Sequence, residues 1–243
     1  MKISIITLFP KMISGFFEES IVKRAISKKL VEIEIINLRD FAIDDYGTVD
    51  DRPYGGGAGM LLRADVIYKA LSKISNIKYQ ISNKTQILND KIKTVLTSVK
   101  GKQFKQKKAA EFSKLDHLII IAGHYEAVDE RVLNFVDEEV SLGDFIMTGG
   151  EITSAAITDA VVRLIPGVLK KEEAILQETF NIKGENLLEY PQYTRPEEFR
   201  GLKVPKVLLG GNHKEIEKWR MEASRKETIK KRPDLLDLKK ELS

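Results

Sequence analysis

Two isoleucine-rich runs, "KISIITLF" and "VEIEIINL", open the chain and predict strands. Between them Pro10 starts a segment with Met12, Ile13, Phe16, Phe17, Ile21, Val22 and Ala25 at helical spacing. Further strands are predicted at "KTVLTS" and at "HLIIIA", which is apolar throughout as a central parallel strand should be. Helical patterns lie around residues 64–74 and 104–115. This alternation predicts an α/β domain with a mostly parallel sheet and right-handed crossovers.

Past Gly150 the run "EITSAAITDAVVRLI" reads as a helix of small and apolar residues that stops at Pro166-Gly167. A polar, weakly patterned stretch follows, and then a proline-punctuated segment, the run "KEIEKWRMEASRKETIKK" and a short helix after Pro233. The pattern therefore divides the chain into a domain over residues 1–169, a flexible linker over 170–186 and a small basic helical domain over 187–243. The polar insert 76–90 reads as a surface loop.

Composition narrows the class. With 42% apolar and 31% charged residues, the 243-residue chain has ordinary globular content. No apolar run approaches the roughly 20 residues of a membrane span, and the short N-terminal run lacks a signal-peptide pattern, so a cytosolic protein is expected. There is no cysteine, and the three histidines, His117, His124 and His213, are scattered, which argues against a zinc site. The net charge of +4 is uneven: residues 201–243 carry 12 Lys+Arg against 7 Asp+Glu. Seven lysines and no acid fall between Lys91 and Lys108, whereas eight acids against one arginine fall between Gly123 and Glu151. Clustered cations of this kind form either a solvated surface or a contact for a polyanion.

Three loops draw attention for their chemistry. "PYGGGAGM" fits neither the dinucleotide nor the P-loop fingerprint, and on pattern alone it reads as a mobile surface loop. "SLGDFIMTGGE" follows a strand and launches the helix after Gly150, a position where open α/β sheets bind ligands. "AGHYEAVDERV" follows "HLIIIA" and gathers His124, Tyr125, Glu126 and Asp129. Its plain reading is a capped helix start; the alternative is a ligand of cationic character suited to acid-bearing loops.

Six segments, "VDDRPYGGGAGM", "GHYEAVDERV", "SLGDFIMTGGE", "DAVVRLIPGVL", "EYPQYTRP" and "VPKVLLGGNHKEIEKWR", together resemble in order and spacing the bacterial tRNA (guanine-N1)-methyltransferases of the SPOUT class. The resemblance runs from "ISIITLFP" to "KRPDLL". It implies a transferase of tRNA processing that moves a methyl group from S-adenosylmethionine to N1 of the guanosine immediately 3′ of the anticodon. It also implies a deep trefoil knot, a homodimer with the active site at the subunit interface, and use of Mg²⁺ in the reaction, for which the sequence shows no ligand cluster.

Carried over by motif, the donor-binding loops are Leu96, Thr97, Ser98 and Gly101; Gly123, Tyr125 and Glu126; and Ser141, Leu142, Gly143, Asp144, Phe145, Ile146, Met147, Gly149 and Gly150. An adenine ring suits an apolar slot edged by backbone groups, and Glu126 suits the cationic methionine part. The resemblance gives the O6-stabilising role to Arg163, whose plain reading is a surface ion pair with Asp159 four residues earlier. It gives the general-base position to Glu178, in "ETF", where the family has aspartate. Val99 replaces a family proline and Ala127 a family glycine. Two rivals remain open: a silent tRNA-binding relative, and a small-molecule α/β enzyme with a nucleotide cofactor.

Overall fold

The computed structural model describes residues 1–75, 91–169 and 178–236. The insert 76–90 and residues 170–177 of the expected linker lie outside the described residues. Two units are distinguishable, Met1–Lys170 and Lys171–Ser243, and each is described by itself.

In chain order the first unit contains β1 (Lys2–Thr7), α1 (Ser14–Phe17), α2 (Ser20–Ser27), β2 (Glu32–Asn37), β3 (Asp50–Asp51), β4 (Leu61–Leu62), α3 (Ala64–Ser75), β5 (Ile92–Gln103), α4 (Gln106–Phe112), β6 (His117–Ile121), β7 (Ala127–Val128), β8 (Glu138–Ser141) and α5 (Glu151–Val162). Five strands form one sheet in the order β2-β1-β6-β5-β8, with every pairing parallel. β6, the fully apolar run, is central, as its composition requires when both faces are covered.

Strand periodicity sorts the core into two layers. Ile3, Ile5, Val95, Leu118 and Ile120 pack on one face with Val22 and Ala25 of α2, Ala109 and Phe112 of α4, and Ile157 and Val161 of α5. Ile6, Leu96, Ile119 and Ile121 pack on the other with Val66, Ile67, Ala70 and Leu71 of α3. Each such fully buried Ile or Leu contributes about 1.5–3 kcal/mol. In α5, Ser154 and Thr158 are also fully buried, and their hydroxyls donate to the carbonyls four residues back, Gly150 (2.8 Å) and Ser154 (2.8 Å).

Two local patterns differ from expectation. The run opened by Pro10 is not one helix but a 3₁₀ turn (Pro10–Met12), α1 and α2, because Glu19 is extended and Ser20 has a φ of +55°. The strand predicted at residues 93–98 continues to Gln103, and the following helix is correspondingly shorter, because β5 pairs with β8 twice. Val95, Leu96 and Thr97 face Glu138, Glu139 and Val140, and Lys102 and Gln103 return to Val140 and Ser141. The residues between bulge out at the carboxyl end of the sheet.

A second, three-stranded sheet joins β3, β4 and β7. The glycine-rich loop is the connection of the antiparallel β3–β4 pair, and β4 runs parallel to β7. Two-residue strands carry no periodicity for pattern reading to find.

In the second unit, the antiparallel pair Glu198–Phe199 and Leu202–Lys203 precedes helices Lys206–Leu209 and His213–Lys231. Residues 178–186 carry a bridge between Ile182 and Glu185, and Ile182 and Leu187 are buried. Thr228 of the long helix accepts the Leu188 amide (2.9 Å) and donates to the Ser224 carbonyl (2.7 Å). Trp219 stands between Tyr190 and Tyr193, at ring distances of 6.3 and 6.5 Å.

At the amino ends of the strands, buried Ser4 lies 2.9 Å from His117 Nε2 and donates to Glu34 (3.3 Å), which pairs with Lys2 at 2.8 Å. Burial pushes the His117 imidazole below its ordinary 6.5, Lys2 adds to this, and Glu34 and Glu32 oppose it. Below 6.5 the unfolded chain therefore binds a proton that the fold resists. Stability is full above that pH and is lost as pH falls from it through the lower folded value. The melting temperature should decline as pH falls below about 6.5, and His117→Gln should flatten that decline. Calorimetric scans across the range measure both.

Candidate active site

The loops that leave β5, β6 and β8 meet at the carboxyl end of the sheet, where open α/β sheets place ligands. They enclose a cleft of about 400 Å³. One hydroxyl ties the first two loops: Thr97 Oγ1 donates to the Ile121 carbonyl (3.2 Å) and accepts the Gly123 amide (3.0 Å). The Gly150 amide donates to the Gly123 carbonyl at 2.6 Å and so brings in the third loop. His124 and Gly149 form an isolated antiparallel bridge beside it.

This corner is closed to side chains. A Cβ on Gly150 would lie 1.9 Å from Thr97 Oγ1 and 2.8 Å from the Gly123 nitrogen. One on Gly149 would lie 2.3 Å from both His124 Nδ1 and Glu151 Oε2. The outer end of the third loop is shaped by Ser141, whose hydroxyl accepts the Gly143 amide and donates to the Gly143 carbonyl, each at 3.1 Å. The Phe145 amide then donates to that same carbonyl (3.0 Å).

The walls are apolar where they are formed by Leu96, Val99, Leu133, Leu142, Phe145, Ile146 and Met147. Acid is concentrated at Glu126, Asp129, Glu130 and Glu139. Part of it is neutralised: Glu130 pairs with Lys100 at 3.6 Å. Asp129 caps the 3₁₀ turn Glu130–Asn134 by accepting the Arg131 amide, and the Arg131 guanidinium beside it lowers its pKa below the usual carboxylate range. That residue fulfils its plain reading as a cap. Glu126 makes no ion pair among the described residues. It packs over Gly59, where a Cβ would meet its Cγ at 2.2 Å, and its amide donates to the Met60 carbonyl (3.2 Å). Gly59 of the glycine-rich loop thus supports the acidic wall.

Of the residues singled out for donor binding, Leu96, Thr97, Ser98, Gly123, Tyr125, Glu126, Ser141, Leu142, Gly143, Phe145, Ile146, Met147, Gly149 and Gly150 line the cleft. Gly101 does not. It lies against β8, where a Cβ would sit 2.4 Å from the Val140 nitrogen, so glycine there permits the second β5–β8 pairing. Asp144 is exposed outside the lining. Ala127 sits in β7 without a left-handed φ, so alanine is accommodated in place of glycine. Arg163 caps the carboxyl end of α5. Ten residues of helix separate it from Thr153 in the cleft, about 15 Å at 1.5 Å per residue. Glu178 belongs to the second unit, on a turn in which its carbonyl accepts the Asn181 amide (3.0 Å).

The description "tRNA (Guanine-1)-methyltransferase TrmD" matches residues 1–238. The chain belongs to this family. The tRNA (guanine-N(1)-)-methyltransferase of Mycoplasmopsis agalactiae is 48% identical to it over 98% of this chain and 97% of its own. The Dictyoglomus turgidum protein of the same name is 46% identical over 98% and 90%, and that of Bacillus cereus 46% over 100% and 94%.

For a TrmD-family chain, pattern reading passed over one buried group next to the cleft. Glu151, the first residue of α5, is fully buried and is held by Thr7 and His124. An acid in the first turn of a helix reads as a dipole-stabilising surface residue, and no sequence signal marks it as internal. The closed corner yields a direct expectation for this family member. Gly150→Ala should lower unfolding free energy by about 1–3 kcal/mol through overpacking. Gly15→Ala, whose Cβ meets nothing within 4 Å, should leave it nearly unchanged. Urea titration of the two variants separates them.

Proposed function

We propose that this chain methylates N1 of the guanosine immediately 3′ of the anticodon of tRNA, position 37, using S-adenosylmethionine. The observation that carries the reading is the coincidence of the family match over residues 1–238 with a cleft built by the three motif loops. The cleft suits the donor chemically. Its volume of about 400 Å³ is in the range of small-ligand sites, its apolar walls suit an adenine ring, and Glu126 favours a cation. When bound, the donor supplies an electrophilic methyl group on a sulfonium. The double pairing of β5 with β8, together with the passage of Gly150 against Gly123, supports reading the three loops as a deep trefoil knot.

Methylation at N1 requires removal of the N1 proton and leaves negative charge that spreads to O6. Glu178 takes the proton, since a carboxylate placed within hydrogen-bond reach of N1–H can act as the general base. Its turn is tied down on both sides: the Phe180 amide donates to the Leu187 carbonyl (2.8 Å), and Thr179 Oγ1 accepts the Glu189 amide (3.1 Å). Arg163 supplies the positive charge at O6. In one chain it lies far along α5 from the cleft, so a second copy completes the site, and the enzyme works as a homodimer. Exposed apolar side chains support such a covered face: Phe9, Phe16, Val99, Phe145, Ile146 and Ile152. The Phe9 ring lies 4.6 Å from that of His124 in the cleft, tilted by 53°.

The basic second unit grips the RNA through phosphates. Lys206, Lys214, Lys218, Lys226 and Lys230 are exposed and make no ion pair among the described residues. Among the described residues no group of three or more His, Asp or Glu side chains is arranged to hold a metal ion, so no step is assigned to Mg²⁺. No described helix is long and apolar enough to cross a membrane, and we assign the activity to the cytoplasm, where tRNA is modified.

Incubation with methyl-labelled S-adenosylmethionine should label tRNA transcripts carrying guanosine 3′ of the anticodon and leave transcripts lacking it unlabelled; equal labelling would overturn the substrate assignment. In single-turnover assays Glu178→Gln should slow methyl transfer by about 100-fold or more, the usual worth of a positioned general base. A wild-type rate would remove Glu178 from that role.

A further inference from the structure

Glu151 is a carboxylate with no exposure to solvent, and the proposed reaction does not use it. Removing a charge from water costs several kcal/mol unless partners compensate. Here two side chains do so: the Thr7 hydroxyl donates to Oε1 at 2.9 Å, and His124 Nδ1 lies 3.3 Å from Oε2. Thr7 in turn accepts the Phe9 amide at 2.9 Å, which fixes the direction of its own proton. Placement on the first turn of α5 adds the helix dipole.

The three partners come from different segments. Thr7 ends β1, His124 follows β6, and Glu151 opens α5 directly after the third cleft loop. The carboxylate does not itself line the cleft, but His124, Gly149 and Gly150 do. Gly149 lies directly on the His124–Glu151 pair, as the 2.3 Å approaches of a hypothetical Cβ show. Rings on both sides hold the imidazole, Phe9 at 4.6 Å and Tyr125 at 5.0 Å.

We infer that Glu151, acting through His124 and Thr7, is a positioning residue that fixes the backbone of the Gly149–Gly150 turn against the loop at Gly123 and thereby preorganises the methyl-donor slot. The inference rests on the donor-binding reading above and assigns a task to a group outside it. An apolar residue would fill the same volume at less desolvation cost. A carboxylate can accept from two segments at once, which a hydrocarbon cannot do.

The decisive variant is Glu151→Met, similar in length and apolar. A purely structural role predicts that stability and donor affinity move together. Positioning predicts that they part: melting at or above the wild-type temperature, with the dissociation constant for S-adenosylmethionine in calorimetry raised about tenfold or more. KM for the donor should rise while kcat at saturating donor changes less than about threefold, and tRNA affinity should stay the same. Glu151→Gln, which keeps two polar ends, should recover donor affinity to within about threefold of wild type. In the protein without donor, amide exchange at Gly150 should accelerate in Glu151→Met. Donor affinity within twofold of wild type in a folded Glu151→Met protein overturns the inference.

Should that variant fail to fold, His124→Ala carries the test, since the imidazole is only partly enclosed, with 14% of its side chain exposed. It should weaken donor binding about tenfold, and His124→Asn, whose amide nitrogen reaches the place of Nδ1, should restore it; unchanged binding in His124→Ala overturns the inference. Wild-type protein that binds no S-adenosylmethionine would overturn the donor reading itself, an outcome distinct from a wild type that binds and variants that bind equally well.

Discussion

The close approach of Gly150 to Thr97 and Gly123 is the constraint on which the cleft depends. Three loops that are far apart in sequence share one point, and only a backbone without a side chain passes between a hydroxyl oxygen and an amide nitrogen there. The Thr97 hydroxyl satisfies both neighbours on one side of that point, and the Gly150 amide is satisfied by the Gly123 carbonyl on the other. Buried backbone groups left unpaired would cost about 1–3 kcal/mol each, so hydrogen bonding and shape fix the same geometry.

The surrounding architecture delivers the segments to that point. A parallel sheet puts the carboxyl ends of β5, β6 and β8 on one edge, and apolar layers on both faces hold the strands in register. The double pairing of β5 holds the loop bearing Ser98 and Val99 at the cleft as a bulge of the strand, and Gly101 allows it by lying against the Val140 backbone. On the other side, the small sheet of β3, β4 and β7 brings Gly59 beneath Glu126. The glycine-rich loop and the acidic loop, separated by more than sixty residues, thus act as one wall.

Much of this was legible in the pattern and some was not, for physical reasons. β1 and β6 declare themselves through isoleucine runs and α5 through its small and apolar residues, because burial on both sides leaves that mark, while edge strand β2 shows instead the alternation of exposed glutamates with half-buried isoleucines. Two of the cleft loops were legible from their place after strands and from their acids, whereas the loop at residues 96–101 was legible through motif resemblance alone, since a turn held by backbone groups has no side-chain periodicity. The break at Ser20 and the re-pairing at Lys102 are tertiary outcomes that spacing does not encode. Glu151 is the instructive omission. Its chemistry as an internal acceptor depends on Thr7 and His124, whose sequence separations of 144 and 27 residues no local reading connects.

Charge follows the same division of labour along the chain. Glu126, Asp129, Glu130 and Glu139 line a cleft suited to a cation, while the lysines and arginines of residues 201–243 suit a phosphate backbone. A basic cleft would hold RNA phosphate and repel a sulfonium; an acidic second unit would repel the RNA before any base reached the donor. In the proposed reaction the acid-lined cleft favours the cationic donor, and the basic carboxyl-terminal segment favours the RNA. There Arg163 opposes the charge that develops on O6, and Glu178 removes the proton whose loss creates it. Their roles are complementary, because a base without a nearby cation would leave the anionic guanine unsupported, and a cation without a base would face a neutral ring.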